Sequence, residues 1–383
     1  MVYLDHNATT PLDPQVLEAM LPYLTNHFGN PSSTHRYGVE ARYAVEKARR
    51  RIAKLLSLPN PDWAIFTSGA TEANNLYLRG IVELRRRGGV ACHLLSAATE
   101  HKAVLDPLKE AANAPGVELT LVTPDSEGRV TSSELVDHLR AETALVSLML
   151  ANNEIGTIQA VPEIAAAVRE RSAAMIHCDA VQAAGKLPLH FPSLGVDAIT
   201  LSAHKFHGPK GIGLLVCDPD KALAPLLSGG GQERNLRAGT ENVAGIVGMA
   251  KALELAIEEL EELNTRLVPL RERLWASIAS HCPGAVRNSP SEGSLPELLN
   301  VSLPGFEGSR LVQALDERGF AVSAGSACAS SQSTGSHVVL AISGGDEART
   351  RGALRIGLGR DTGWAQIEGF APALAGILAE RDS

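Results

Sequence analysis

At 383 residues, 44% apolar and 20% charged, the chain has the profile of a soluble globular protein of two domains, long enough to bury about 75% of its unfolded surface without disulfide staples. A net charge of −8 argues against a nucleic-acid-binding face, because neutralising phosphates needs a cationic excess, and it assigns basic runs such as Arg49-Arg50-Arg51 and Arg85-Arg86-Arg87 to solvated helix faces. The start, Met1-Val2-Tyr3-Leu4-Asp5-His6, has neither a basic nor an apolar leader region, and no later run reaches membrane-spanning length, so a cytoplasmic protein off the membrane is expected. The five cysteines (Cys92, Cys178, Cys217, Cys282, Cys328) are scattered and form no Cys-x-x-Cys pair, which suggests neither a disulfide framework nor a metal site.

In chain order, residues 14–24 read as a short amphipathic helix and Gly29-Asn30-Pro31-Ser32-Ser33 as a turn-rich loop. A long helical pattern follows over 38–56. Short apolar runs then appear at 63–67, 93–97, 119–122, 144–150, 175–178, 198–201 and 212–217, most of them separated by helical segments such as 71–87 and 162–171. Strands alternating with helices imply an open, mostly parallel α/β sheet, and their near-continuous hydrophobicity implies burial on both faces. Gly229-Gly230-Gly231-Gln232-Glu233 follows no obvious strand and reads as a flexible turn. Residues 244–278 continue as helix toward a smaller α+β layer, with runs at 299–303, 308–318, 321–323 and 353–358 and a closing helix over 364–380. The expected division is a large domain over 14–258 and a small one made of 1–13 and 259–383. No repeat or low-complexity tract interrupts it.

Ligands of open α/β sheets bind outside the carboxyl ends of the strands. There the chain places Thr67-Ser68-Gly69-Ala70-Thr71, Thr99-Glu100-His101, Asn152-Asn153-Glu154, Asp179 with Gln182, and Ser202-Ala203-His204-Lys205. Lys205, at the mouth of an apolar strand, is either a solvated loop lysine or, with its ammonium destabilised, an amine able to attack a carbonyl, for which pyridoxal phosphate is the first cofactor to consider. The Ser68–Thr71 turn is a phosphate cradle or an ordinary helix cap. Asp179, on one face of its strand with His177, suits a pyridinium nitrogen, while Cys178 points to the core. His101 is a ring-stacking, proton-moving residue or a structural one. Nucleotide-binding glycine motifs and His-Glu-x-x-His are absent.

Four of the cysteines sit in apolar or structural surroundings. Cys328 instead lies in Ser323-Ala324-Gly325-Ser326-Ala327-Cys328-Ala329-Ser330-Ser331, where small residues would give a nucleophilic thiol access, or where a cysteine is incidental. Arg355 is a carboxylate clamp or a structural ion-pair partner.

Across Tyr3-Leu4-Asp5-His6-Asn7-Ala8-Thr9-Thr10, Gly29-Asn30-Pro31-Ser32-Ser33, Ser68-Gly69-Ala70-Thr71-Glu72-Ala73-Asn74-Asn75, Thr99-Glu100-His101-Lys102, Asn152-Asn153-Glu154-Ile155-Gly156, Asp179-Ala180-Val181-Gln182, Ser202-Ala203-His204-Lys205, Arg237-Ala238-Gly239-Thr240 and Gly325-Ser326-Ala327-Cys328, the chain resembles the NifS/IscS-type cysteine desulfurases. The resemblance implies the pyridoxal 5′-phosphate-dependent transferase fold, aspartate aminotransferase-like and of fold type I. It implies Lys205 as the Schiff-base lysine, Asp179 on the pyridine nitrogen, Gln182 on the ring hydroxyl and His101 against the ring. Ala70, Thr71, Ser202 and His204 would form the phosphate cup, completed by Thr240 from the other subunit of a homodimer. Asn152 and Arg355, with Asn30 as a further candidate, would hold the carboxylate of L-cysteine. Cys328 would take its sulfur as a persulfide, release L-alanine, and pass the sulfur to an iron–sulfur scaffold or a tRNA-thiolation protein. A selenocysteine lyase or another class V aminotransferase-type enzyme is the alternative, and a sulfur-carrier or metal-binding scaffold the non-enzymatic one. Val181 and Ala238 replace commoner alanine and serine, and Gln332–Ser336 lacks a leucine often found after the cysteine, which bears on the choice of partner.

Overall fold

A computed structural model describes residues 1–221, 223–325 and 335–381. A seven-stranded sheet runs in the order Ala64–Thr67, Gly213–Cys217, Ala198–Ser202, Met175–Asp179, Thr143–Met149, Cys92–Ala97, Val117–Val122. Only Gly213–Cys217 runs against its neighbours. Most of these strands are buried at every position, as expected of a parallel sheet covered on both faces. The apolar runs read from the sequence therefore mark the strands to within about two residues.

Helix Arg36–Leu56 shows why the covering layer forms. Ala41, Ala44, Val45, Ala48, Ile52 and Leu56 recur at three-to-four spacing and are buried together against the sheet. Arg49 lies on that same stripe and is only 2% exposed, so the expectation of a solvated Arg49 is corrected. Its guanidinium binds the Glu233 carboxylate through two bonds of 3.0 and 2.8 Å and donates to the carbonyl of Ala64. Glu233 also accepts from Phe66 N at 2.8 Å. The glycine-rich turn before it is thus pinned to the edge of the sheet rather than loose, although Glu233, Arg234 and Asn235 all adopt left-handed backbone angles (φ 46, 57 and 64°).

A second apolar cluster gathers around an antiparallel sheet ordered Ala353–Gly357, Leu298–Ser302, Val286–Arg287, packed with helices Leu260–His281, Gly308–Glu317 and Phe370–Arg381. Two long helical readings are broken. The segment from 244 becomes helices Val243–Glu258 and Leu260–His281, which meet at Glu259, and the closing helix becomes Trp364–Ile367 and Phe370–Arg381. Helices Lys102–Ala112 and Ser132–Asp137 are present without having been singled out in the sequence. No described helix is long and apolar enough to cross a membrane.

The chain's first residues join the two clusters. Val2–Tyr3 pairs in parallel with Phe320–Ala321, Leu4 is buried in the second cluster, and Asp5 bridges to Gly357. The next residues, Asn7 to Thr9, reach the carboxyl edge of the large sheet.

Removing one partner of a buried ion pair leaves the other charge uncompensated. Glu233→Ala is therefore expected to destabilise the protein by about 3–5 kcal/mol, read as a lower denaturant midpoint, whereas the exposed Arg50→Ala should move it by less than about 0.5 kcal/mol.

Candidate active site

Most of the polar strand ends converge on one cleft of about 470 Å³ at the carboxyl edge of the large sheet. Lys205 stands in the turn Ala203–Lys205 that follows strand Ala198–Ser202. Its Nζ donates to the backbone carbonyls of Asn7 and Ala8, each at 2.7 Å. Asp179 ends its strand and is buried, its Oδ2 accepting from Asn74 Nδ2 at 2.8 Å and its Oδ1 from Val181 N at 3.0 Å. Asn74 is oriented in turn by Thr200 Oγ1, which donates to its Oδ1 at 2.6 Å.

One wall is the start of helix Ala70–Arg87, capped at Gly69 with no side-chain hydrogen bond. Its first-turn N–H groups and the helix dipole leave a place for an anion beside Ala70, Thr71, Ser202 and His204. Gly213 permits the close approach of this turn, since a Cβ there would lie 2.4 Å from the carbonyl carbon of Gly69. Glu72, in the same first turn, is engaged by Ser68 N at 2.7 Å and by Arg237 Nε at 2.8 Å.

His101 caps helix Lys102–Ala112, its Nδ1 accepting from Ala103 N at 3.0 Å. Burial holds this imidazole below the usual histidine range, opposed by the Asp179 carboxylate and reinforced by Lys205. His204, 3.1 Å from Thr9 Oγ1 through Nδ1, is pushed down to about 4 by burial and then by Lys205, Lys210 and Lys186, and so stays neutral with one N–H to donate. Glu100 is buried outside the cleft lining: burial raises it well above the carboxylate range, and its Oε1 accepts from Met149 N at 2.7 Å.

Gln182 and Arg355 complete the cleft lining. Arg355 is 2% exposed and donates to Asn153 O at 3.0 Å and Asp5 Oδ1 at 2.8 Å, while its buried Nε has no partner among the described residues. Asn153 lines the cleft, whereas Asn152 is buried beside it. The Asn152 amide donates to Thr99 O and accepts from Glu154 N and Ile155 N. Asn30 is exposed and binds Ser32 N within its own loop, outside the cleft lining. Thr240 is exposed and likewise absent from this lining. Cys328 lies outside the described residues. Asn7, Asn74, Asn153 and Lys210 belong to the site or its support without having been given roles from the sequence. The position of Asn7, Asn74 and Asn153 inside quoted motifs could have pointed to them, whereas Lys210 carried no such signal.

A mostly parallel sheet with a lysine and a carboxylate at its carboxyl edge, beside a bare helix start, defines a pyridoxal-phosphate-dependent transferase fold. The chain matches the class-V aminotransferase model over residues 2–370 and belongs to that family. It is similar to the cysteine desulfurase IscS of Dictyoglomus turgidum, 44% identical over 358 residues that cover 94% of this chain and 89% of that protein. It is also similar to the putative cysteine desulfurase IscS 1 of Bacillus subtilis, 39% identical over 377 residues and 98% of each chain. A solved NifS-like protein superposes with a TM-score of 0.91 at 39% identity, covering 99% of both chains.

The family's cofactor is pyridoxal 5′-phosphate, and the donor set suits it. The cleft offers an anion site at a helix start, a buried carboxylate and an amine, with the Arg355 guanidinium in its lining for a further anionic group.

Buried histidines give the fold a pH signature. His177, fully buried, is held at about 4 by desolvation, and His207 is also brought to about 4, against 6.5 for the unperturbed side chain. The unfolded chain therefore binds more protons between those values. Stability is complete above about pH 6.5 and falls as the pH drops toward 4. His177→Asn should reduce that loss by up to about 3 kcal/mol, measured as the difference between denaturant midpoints at pH 7 and pH 4.5.

Proposed function

We propose that this chain is a cysteine desulfurase that takes sulfur from L-cysteine, releases L-alanine and carries the sulfur on Cys328 as a persulfide for an acceptor protein. The observation that carries the reading is the meeting of the Lys205 amine and the Asp179 carboxylate in one cleft beside an uncapped helix start. Similarity to proteins named cysteine desulfurase selects this activity among those of the family.

Lys205 would bind the cofactor's aldehyde carbon, Asp179 its pyridine nitrogen, Gln182 the ring oxygen and His101 the ring face. Ala70, Thr71, Ser202 and His204 would hold its phosphate. Bound there, pyridoxal phosphate supplies an electron sink for the pair released when substrate bonds break. The Asp179 carboxylate, fixed by Asn74, would keep a proton on the pyridine nitrogen. Arg355 is supported as the carboxylate clamp by its place in the cleft lining, with the neighbouring turn carrying Asn152 and Asn153 as its companion. Asn30 is a weaker contributor from its exposed loop. With Nδ1 accepting from Ala103 N, the neutral His101 carries its proton on Nε2, so it can donate that proton and take one back there. The Cys328 thiolate would attack the substrate sulfur. The new S–S bond forms as the carbon–sulfur bond breaks, and a proton returned to carbon completes alanine.

We further propose a homodimer. Leu17, Leu21, Leu24, Phe28, Tyr37 and Tyr43 expose an apolar face on and beside the first two helices, and Thr240 stands outside its own cleft, as a residue serving a second copy's phosphate site would. The expected working units are 14–258 and 1–13 with 259–383, a division supported by two separate apolar clusters. A cytoplasmic setting would keep Cys328 reduced. The acceptor would be an iron–sulfur scaffold or a tRNA-thiolation protein.

The test is a product assay on the protein supplied with pyridoxal phosphate and L-cysteine. Alanine and enzyme-bound sulfur are expected from the parent. Cys328→Ala should keep the visible absorbance and lose sulfur transfer to background. A keto acid product, or undiminished sulfide release by Cys328→Ala, would overturn the reading. Sedimentation should give twice the chain mass, and Tyr43→Glu should shift it toward the monomer and weaken cofactor retention.

A further inference from the structure

Behind the cleft lies a buried polar network that the site chemistry does not itself require. Gln182 Oε1 accepts from Lys186 Nζ at 2.6 Å and from Asn7 Nδ2 at 3.2 Å, while Gln182 Nε2 donates to Asn7 O at 3.0 Å. Glu297 Oε1 accepts from Asn7 Nδ2 at 2.8 Å and pairs with Lys186 Nζ at 3.1 Å. Asn7, Gln182 and Glu297 are at most 4% exposed, and the Lys186 side chain 11%.

An amide has one accepting and one donating end, and the network decides which end faces where. Turning Gln182 over would set its N–H groups against the Lys186 ammonium and the Asn7 Nδ2 donor, and its carbonyl against the carbonyl of Asn7. Asn7 cannot yield by turning over as well, because its Nδ2 is held by the Glu297 carboxylate, which only accepts. In a site this dry each mismatch is costly.

We infer that Lys186 is a positioning residue: with Asn7 and Glu297 it locks the Gln182 amide so that only an N–H is left to face the cofactor's ring oxygen. The inference rests on the pyridoxal phosphate reading above. A donor at that oxygen favours its deprotonated form, so the locked amide lowers the pH at which the bound cofactor loses its proton. Without Lys186 the turned-over amide meets one clash fewer and is opposed by Asn7 alone, so it presents its carbonyl more often, which favours the protonated form.

Other charges reach the same place. His6, His207, Glu259, Glu297 and Arg360 line the small cavity of about 60 Å³ on the far side of Lys186. Lys205, Asp179, His101, His204, Lys210, Arg355 and Glu72 line the cleft on its other side. All are retained in the variants compared below, so their contributions cancel in the difference between midpoints.

The experiment is a pH titration of the visible absorbance of the protein loaded with pyridoxal phosphate. Lys186→Met should raise the midpoint by about 1 unit, and Lys186→Arg, which keeps a cation and N–H donors, should stay within about 0.3 unit of the parent. In a Gln182→Met background the Lys186→Met shift should vanish, because Lys186 acts through that amide. An unchanged midpoint in Lys186→Met, or a shift that persists without Gln182, would overturn the assignment. If the Met protein does not fold, the Arg protein still decides, since a midpoint raised by a full unit there contradicts the donor argument. A parent that takes up no pyridoxal phosphate would instead sink the functional reading itself.

Discussion

The structure depends on one meeting of distant segments: Thr10 N donates to His204 O at 2.9 Å and Asp13 N to His207 O at 3.0 Å, and the carbonyls of Asn7 and Ala8 accept from the amine of Lys205, almost two hundred residues further along the chain. Carbonyl oxygens inside a cleft need donors, and a lysine at a strand mouth needs acceptors, so each satisfies the other. The contact brings the N-terminal segment, anchored in the second apolar cluster through Leu4, against the carboxyl edge of the large sheet. Through it the two clusters share a single cleft.

The electrostatics of that cleft follow from its construction. A helix start and Lys205, Lys210 and Arg355 make it attractive to anions, while Asp179 places one buried negative charge at its inner end. The surrounding cations and desolvation keep His204 neutral, so it can donate without adding charge. Supporting residues carry equal weight. Asn74 and Thr200 aim Asp179, Glu72 and Arg237 tie the loop bearing Thr240 to the anion-binding helix, and Arg49 with Glu233 pins the other end of that loop. Such outer partners fix geometry that the reacting groups alone could not maintain.

Much of this was legible in the sequence, and the failures have physical causes. Buried parallel strands are continuous apolar runs, so each strand of the large sheet was found within a residue or two, and the polar residues at their ends led to Lys205, Asp179, Gln182 and His101. Arg49 was misread because charge was weighed above position, although it falls on the buried stripe formed by Val45, Ile52 and Leu56. Glu233 was hidden in a glycine-rich stretch whose partner lies 184 residues away. Asn152 and Asn153 sit in a turn where no periodicity tells which residue reaches the cleft, and in the structure Asn153 is the one that lines it. The pairing of Asn7 with Glu297 spans 290 residues, a distance over which local pattern carries no information.

We propose that Lys205, and no other lysine of the cleft region, is the amine that holds the cofactor. Borohydride reduction of the protein loaded with pyridoxal phosphate, followed by peptide mass spectrometry, reads this directly. One pyridoxyl group per chain is expected, on the peptide containing Lys205. A label on Lys210 or Lys186 instead, or no label at all, would contradict it.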